Sequence, residues 1–289
     1  LEDLSKKISS KGIKTNIITA LPSYAFNEKS SKDLDIDLKK RSIIKIKSTI
    51  LKSRKIHIRF INGIFFSFLS FLILISKNKR GKLTIYTTEP PSLALVGLIF
   101  SIISKTPFII IIYDLYPDVI TNLNILKKEN IIIYLWKKIN NLILNRANEI
   151  IVLSESMKNK LILDYPKTNS KISIIPCWAD TEKIKSLNKS ENWFCQKHDL
   201  QNKFTVIYSG NQGRGHDFLT IMKSCRYLKN YKNIKFLFIG TGAKNEEIKR
   251  FSISWKLDNC LFLPYQAFTD LKFTLTSGDL ALVTLEKGM

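Results

Sequence analysis

The chain has 289 residues, 45% of them hydrophobic, which is enough for two cores of ordinary size. Its formal net charge is +22, and between Leu38 and Thr88 it carries thirteen Lys or Arg and no Asp or Glu, so the basic excess is regional and points to a local anionic partner. Cys177, Cys195, Cys225 and Cys260 form no CxxC pair and His57, His198 and His216 are scattered, which excludes a metal-ligand cluster or disulfide framework legible from sequence and fits a reducing cytoplasm.

In chain order, a helical pattern from Leu1 to Ser10 stops at Gly12, and a strand follows over Ile13–Thr19. Residues 21–37 are polar and irregular. One or two helices are expected from Arg41 to Lys77, carrying the basic cluster and the apolar run Ile61–Ser76. At 16 residues that run falls short of the roughly 20 needed to span a bilayer, so it reads as a core helix or an interfacial one. Lysines and arginines beside an apolar helix suit an anionic membrane surface better than nucleic acid. A strand over Leu83–Thr87 enters Glu89-Pro90-Pro91-Ser92, then come a helix (Leu93–Ser104) and a strand (Phe108–Tyr113) that delivers Asp114-Leu115-Tyr116-Pro117-Asp118. A long helix is expected over Leu123–Ala147, a strand over Glu149–Leu153, a helix capped by Ser154, and a strand over Lys171–Ile175. Residues 177–203 are polar and weakly patterned, and mark an interdomain connection.

Strand and helix then alternate again: strands 204–209, 234–239, 260–263 and 279–284, with helices 216–229, 243–256 and 267–276 between them. Such alternation argues for parallel sheets covered by helices. The chain begins inside a helical pattern and stops just after a strand, so a longer parent chain is expected.

The chemistry concentrates after the strand Phe204–Ser209, in GNQGRGHDF. Gly210, Gly213 and Gly215 allow a tight turn and close approach of a ligand, the amides of the following helix face it, and Arg214 supplies a planar charged fork suited to a diphosphate. The spacing matches neither GxGxxG nor GxxxxGK[ST]. A second strand ends in Gly240 and Gly242, which puts both loops on one edge of a sheet, where open α/β sheets bind ligands. An NAD-dependent oxidoreductase would need an acidic residue about 20 positions after the glycine loop, and residues 226–234 contain none.

Three stretches resemble bacterial glycosyltransferase family 4, particularly its branch in surface-polysaccharide and O-antigen assembly: TEPPSLAL with IIYDLYPDV (87–119), VIYSGNQGRGHDF (206–218), and FLFIGTGAKNEEI with NCLFLPYQ and DLALVTLEKGM (236–289). The resemblance implies the GT-B fold, α/β with two Rossmann-like parallel-sheet domains facing across a cleft, the second incomplete. It implies an acceptor-side domain over 1–178, a connection over 179–203 and a nucleotide-sugar domain over 204–289. It also implies retaining transfer to a lipid-linked or polysaccharide acceptor, without cofactor or essential metal. Gly210, Asn211, Gly213 and Arg214 fall on the family's diphosphate loop, Gly240 and Gly242 on its second glycine loop, and Leu263, Pro264 and Tyr265 where the base is contacted. Asp114 falls beside the transferred sugar and Glu89 on the acceptor side. Asp114 also reads as a turn cap, Asp118 and Glu89 as helix-start residues, and His216 as a polar residue of the first helical turn. The family's first glycine loop is absent, and its acidic motif would begin after Met289. The implied location is the cytoplasmic face of the membrane, with region 38–80 as the docking element and no nucleic acid partner. The alternative is a non-catalytic membrane-surface or nucleotide-binding module.

Overall fold

The computed structural model describes residues 2–20, 41–47, 56–77, 82–179, 181 and 184–287. Most of the basic cluster (Lys39, Lys40, Lys52, Arg54, Lys55, Lys79 and Arg80) and the irregular stretch 21–37 lie outside the described residues. The chain divides into two compact units, Leu1–Cys177 and Trp178–Met289.

The first unit opens with α1 (Glu2–Ser10), β1 (Thr15–Ala20) and β2 (Arg41–Ile46). β1 and β2 pair in parallel, Ile17 opposite Ile43. Residues 41–46 were expected to be helical; three β-branched isoleucines and a parallel partner favour the strand instead. α2 (Ile56–Ser76) follows and is 21 residues long. The apolar run alone understates the helix, which recruits Ile56 to Phe60 and reaches a length that could cross a bilayer.

The main sheet of this unit has the order β3-β4-β5-β6, all parallel, from β3 (Thr84–Thr87), β4 (Phe108–Ile111), β5 (Glu149–Val152) and β6 (Ile172–Ile174). Parallel neighbours need crossovers, and α3 (Leu93–Ser104), α5 (Ile131–Arg146) and α6 (Glu155–Asp164) supply them. Their inner faces close over Phe108, Ile110, Ile150 and Val152, with Ala94, Val96, Ile143 and Leu144 from the helices. Gly97 is small because the Tyr86 ring lies where its Cβ would be, 2.9 Å away. The helix expected over 123–147 starts later, as α5 at Ile131, after Asn124 in the left-handed region (φ 55°), with Asn130 capping it by accepting from Ile132 N at 2.8 Å; a short α4 (Asp118–Asn122), not expected from the sequence, precedes it. Ser154 caps α6 as expected, accepting from Met157 N at 3.3 Å.

The second unit carries α7 (Trp193–Lys197) and a parallel sheet of order β10-β7-β8-β9, from β7 (Phe204–Ser209), β8 (Ile234–Ile239), β9 (Cys260–Leu263) and β10 (Leu280–Ala281). α8 (Phe218–Tyr227), α9 (Asn245–Ser254) and a short α10 (Leu271–Leu275) make the crossovers. The last strand is two residues long where six were expected, and the chain beyond it is irregular. The stretch read as a connection contributes to the core: Phe194, Cys195 and Leu200 are buried against Ile207 and Leu237. Asn192 anchors it, accepting from Phe194 N at 2.9 Å and donating to Phe273 O at 2.8 Å. Cys225 of α8 and Cys260 of β9 meet in the other core, where the hydrogen bond between the thiols, together with burial, pushes the Cys225 thiol far up.

Phe194 is fully buried on a stretch whose sequence looks like a linker. Phe194→Ala is expected to cost about 3–5 kcal/mol in urea unfolding, and Gln196→Ala, on the exposed side of the same turn, close to nothing; an unmoved midpoint for Phe194→Ala would make 192–203 a tether.

Candidate active site

β7 and β8 are adjacent and parallel, so the loops that leave them emerge side by side at the same edge. The loops are locked together through their backbones. Gly210 N donates to Ile239 O at 2.9 Å, Gln212 N to Thr241 O at 3.0 Å, and Lys244 N to Gln212 O at 3.0 Å. Beneath them the buried Gln212 accepts from Asn245 Nδ2 at 2.6 Å. This lock explains the second pair of glycines. A Cβ on Gly240 would lie 2.1 Å from Gly210 O, at a φ of 126° that favours glycine, and a Cβ on Gly242 would lie 2.3 Å from Gln212 O. Gly240 and Gly242 are therefore required by the neighbouring loop, a nearer cause than the ligand approach read from sequence.

The expectation that the turn presents its amides outward needs correction in detail. Gly210 and Gln212 spend theirs on the second loop, and Gly213 N donates to Asn211 O at 2.9 Å. Among the described residues, the amides of Asn211, Arg214 and Gly215 in the first loop, and of Thr241, Gly242 and Ala243 in the second, have no hydrogen-bond partner. The helix is also later than expected: α8 starts at Phe218, and Asp217 caps it, accepting from Thr220 N at 3.1 Å. Hydrogen bonds from Thr220 hold this carboxyl below its usual range. The positive end of α8 thus already faces a carboxylate of its own chain. The guanidinium of Arg214 is exposed and makes no ion pair among the described residues.

Sequence reading missed the groups that brace these loops. The Tyr208 hydroxyl lies 2.8 Å from Asn211 O and 2.6 Å from His216 Nδ1. The carbonyl can only accept, so Tyr208 donates to it and His216 brings the proton at Nδ1, leaving Nε2 as an acceptor. Burial pushes the Tyr208 phenol up to about 12, and burial with the nearby Lys244 ammonium pushes His216 below the usual histidine range. Lys244 Nζ donates to His216 O at 2.7 Å and pairs with the Glu286 carboxylate, while Glu286 N donates to Gly215 O at 2.8 Å. A lysine two residues past Gly242 was visible in the sequence; its partner 42 positions away was not. Leu263 O receives Gly240 N at 2.9 Å, and Tyr265 OH reaches Thr241 O at 3.4 Å, so Leu263-Pro264-Tyr265 closes the second loop's other side.

In the first unit Asp114 follows β4. Thr88 holds the bend by accepting from Tyr113 N at 3.1 Å and Asp114 N at 3.3 Å. The Asp114 carboxyl is half-buried beside a cavity of about 40 Å³ that Thr88, Tyr116, Trp136 and Asn140 also line. Burial raises its pKa, and among the described residues no hydrogen bond or ion pair reaches its oxygens. Tyr116 stacks on Trp136 (5.8 Å, 3° between planes) and its phenol is pushed up to about 12, first by burial and then by the Asp114 and Glu89 charges. Glu89 is exposed on the neighbouring loop. Asp118 opens α4 and pairs with Lys160 at 3.2 Å, the structural role its position suggested. A turn cap is not what the Asp114 side chain does: the cap at this bend is Thr88.

The model of glycosyltransferase family 4 matches residues 1–183. The chain belongs to this family. It is 25% identical over 229 residues to a probable glycosyltransferase, WbjE of Pseudomonas aeruginosa, covering 78% of this chain and 56% of WbjE, so it spans just over half the length of that relative. Among solved structures it is similar to the lipopolysaccharide-biosynthesis glycosyltransferase WaaG (TM-score 0.63, 11% identity, 98% of this chain and 69% of that one). It is also similar to Anabaena HepE, solved with UDP-glucose (TM-score 0.61, 13% identity, 92% and 72%). At such identities the likeness shows the fold, the GT-B architecture that family 4 resemblance implied.

Two outcomes test this geometry. Gly242→Ala is expected to destabilise the second unit by about 1–3 kcal/mol by overpacking against Gln212, read as faster hydrogen exchange of β7 and β8 amides. Gly213→Ala, whose Cβ would meet the exposed Asn211 side chain at 3.2 Å and Asn211 O at an ordinary 4.0 Å, is expected to leave exchange unchanged. Because the folded Asp114 carboxyl has a raised pKa, its ionisation opposes folding at neutral pH. Asp114→Asn should raise Tm at pH 7, and that advantage should vanish as acid protonates Asp114 in the parent chain; equal Tm values throughout would remove the desolvated carboxylate.

Proposed function

We propose that the protein is a retaining glycosyltransferase that moves a sugar from a nucleoside-diphosphate donor on the second unit to a lipid-linked or polysaccharide acceptor on the first, at the cytoplasmic face of the membrane. The observation that carries this reading is the locked pair of loops whose outer amides are unpaired beside the exposed Arg214 guanidinium. Family membership, the naming of WbjE as a probable glycosyltransferase and the UDP and UDP-glucose complexes of HepE support it.

When the bond between the anomeric carbon and the diphosphate breaks, its electron pair leaves with the phosphate oxygen. Fixed donors aimed at that growing charge lower the barrier by several kcal/mol in a dry site (about 3–4 per donor). Arg214 and the amides of Asn211, Gly215 and Gly242 are suited to this, and the reading calls for no metal and no cofactor. Retention follows from attack on the face the leaving group vacates: the acceptor oxygen bonds to the anomeric carbon while its proton passes to the departing phosphate. Asp114, desolvated and unpaired, is suited to accept a hydrogen bond from an acceptor or sugar hydroxyl, and Glu89 lies on the same side. The basic and apolar region 38–80 docks the chain on anionic lipid, and surface-polysaccharide or O-antigen assembly is the setting the resemblance suggests.

Calorimetry with UDP and with UDP-glucose is expected to show binding that Arg214→Ala weakens about tenfold or more, the loss of a charge-assisted contact. No heat with either ligand, or an unaltered affinity in Arg214→Ala, would leave the non-catalytic module as the better account.

A further inference from the structure

We infer that the outer faces of α2, α3 and α5 form one surface that enters the headgroup layer of an anionic bilayer, so that docking is a property of three helices and not of region 38–80 alone. The inner faces of these helices share the first unit's core: Phe71 and Leu74 from α2, Ala94 and Val96 from α3, Ile143 and Leu144 from α5. Their outer faces should be polar in a chain that meets only water. They are not. On α2, Ile64, Phe68, Leu72 and Ile75 recur every three or four residues, which places them on one side, and each is exposed. On α3, Leu95, Ile99 and Ile102 do the same, Ile102 at 59%. On α5, Leu135, Ile139 and Leu142 continue the pattern, with Ile131 at the helix start 66% exposed. Phe60 of α2 packs on Trp136 of α5 (6.4 Å), so the first and third helices also meet at one end.

Charge selects the occupant. No Asp or Glu occurs in α2, α3 or α5, whereas Arg59 stands on α2 and Lys137, Lys138 and Arg146 on α5, with Lys127, Lys128 and one acid, Glu129, just before it and Asp118 beside Lys137 at 3.9 Å. These cations stand on or beside the helices that carry the apolar face, and the sequence from Leu38 to Thr88, which contains α2, has no Asp or Glu, which suits anionic lipid headgroups above acyl chains. Burial against a second copy would bring these like charges together. α2 has the length to cross a membrane, but its inner side is engaged with the unit: Phe66 is buried, Ser67 Oγ lies 2.8 Å from Ser92 Oγ, and Gly63 sits on Pro90, 2.8 Å from where a Cβ would be. It lies on the unit and offers only its outer face. The aromatic series Phe60, Trp136, Tyr116 links this face to the cavity that Asp114 also lines.

The proposal involves no sugar chemistry and is tested apart from it. Sedimentation with vesicles of phosphatidylcholine, with and without phosphatidylglycerol, is the readout, and UDP calorimetry on the same samples reports separately on the second unit. The parent chain should sediment with the anionic vesicles and be released by salt. Leu135→Glu with Ile139→Glu, both at exposed α5 positions, should lower the vesicle-bound fraction tenfold or more with circular dichroism unchanged; Ile64→Glu with Phe68→Glu should do the same from α2. Undiminished binding of the α5 variant would overturn the three-helix surface. So would equal, salt-insensitive binding to neutral vesicles, or a dimer in sedimentation equilibrium that the α5 substitutions convert to monomer.

Discussion

The second unit depends on one contact: the backbone of the loop after β7 lying directly on the backbone of the loop after β8. Three main-chain hydrogen bonds and a buried Gln212–Asn245 pair hold it, and it exists because Gly240 and Gly242 have no Cβ to separate the chains. Groups placed at the open edge of a parallel sheet are otherwise mobile loop groups. Here the inner amides are consumed in fixing the loops, and the outer ones are held in place with no partner of their own. Such preorganisation is what charge stabilisation requires, because donors that have to reorient as charge develops give up much of their effect.

The first unit shows the same division of labour between neighbouring polar groups. Thr88 secures the bend with its hydroxyl, Asp118 pairs with Lys160, and these contacts leave Asp114 half-buried and unpaired. A carboxylate kept in that state costs stability. Two aspartates four positions apart therefore differ, one fixing an element and the other left half-buried with no ion pair among the described residues, and only their surroundings tell them apart.

Much of this was legible in the sequence where the signal is local. Apolar β-branched runs separated by amphipathic stretches marked the strands of the two four-stranded parallel sheets, Ser154 marked a helix start, and the glycines located the loops. What was not legible depends on partners remote in the chain. β2 became a strand through β1, 21 or more residues upstream of it. Phe194 reads as part of a polar linker until Leu237 and Ile207 cover it. Asp217 carried no sequence signal that set it apart in GRGHDF, yet its carboxylate claims the helix terminus that the loop was expected to offer a ligand. The apolar character of α5 was visible residue by residue, but that Leu135, Ile139 and Leu142 face outward follows only from the core that Ile143 and Leu144 join on the other side.

The central claim, that the paired loops hold a nucleoside diphosphate through their outer amides, is tested most directly by a UDP titration of ¹⁵N-labelled protein followed by amide shifts. The account predicts saturable shifts concentrated on Asn211, Arg214, Gly215, Thr241, Gly242 and Ala243, and smaller ones at Gly210 and Gln212, whose amides are already bonded. Saturation with those resonances unmoved, and the shifts gathered elsewhere in the chain, would contradict it.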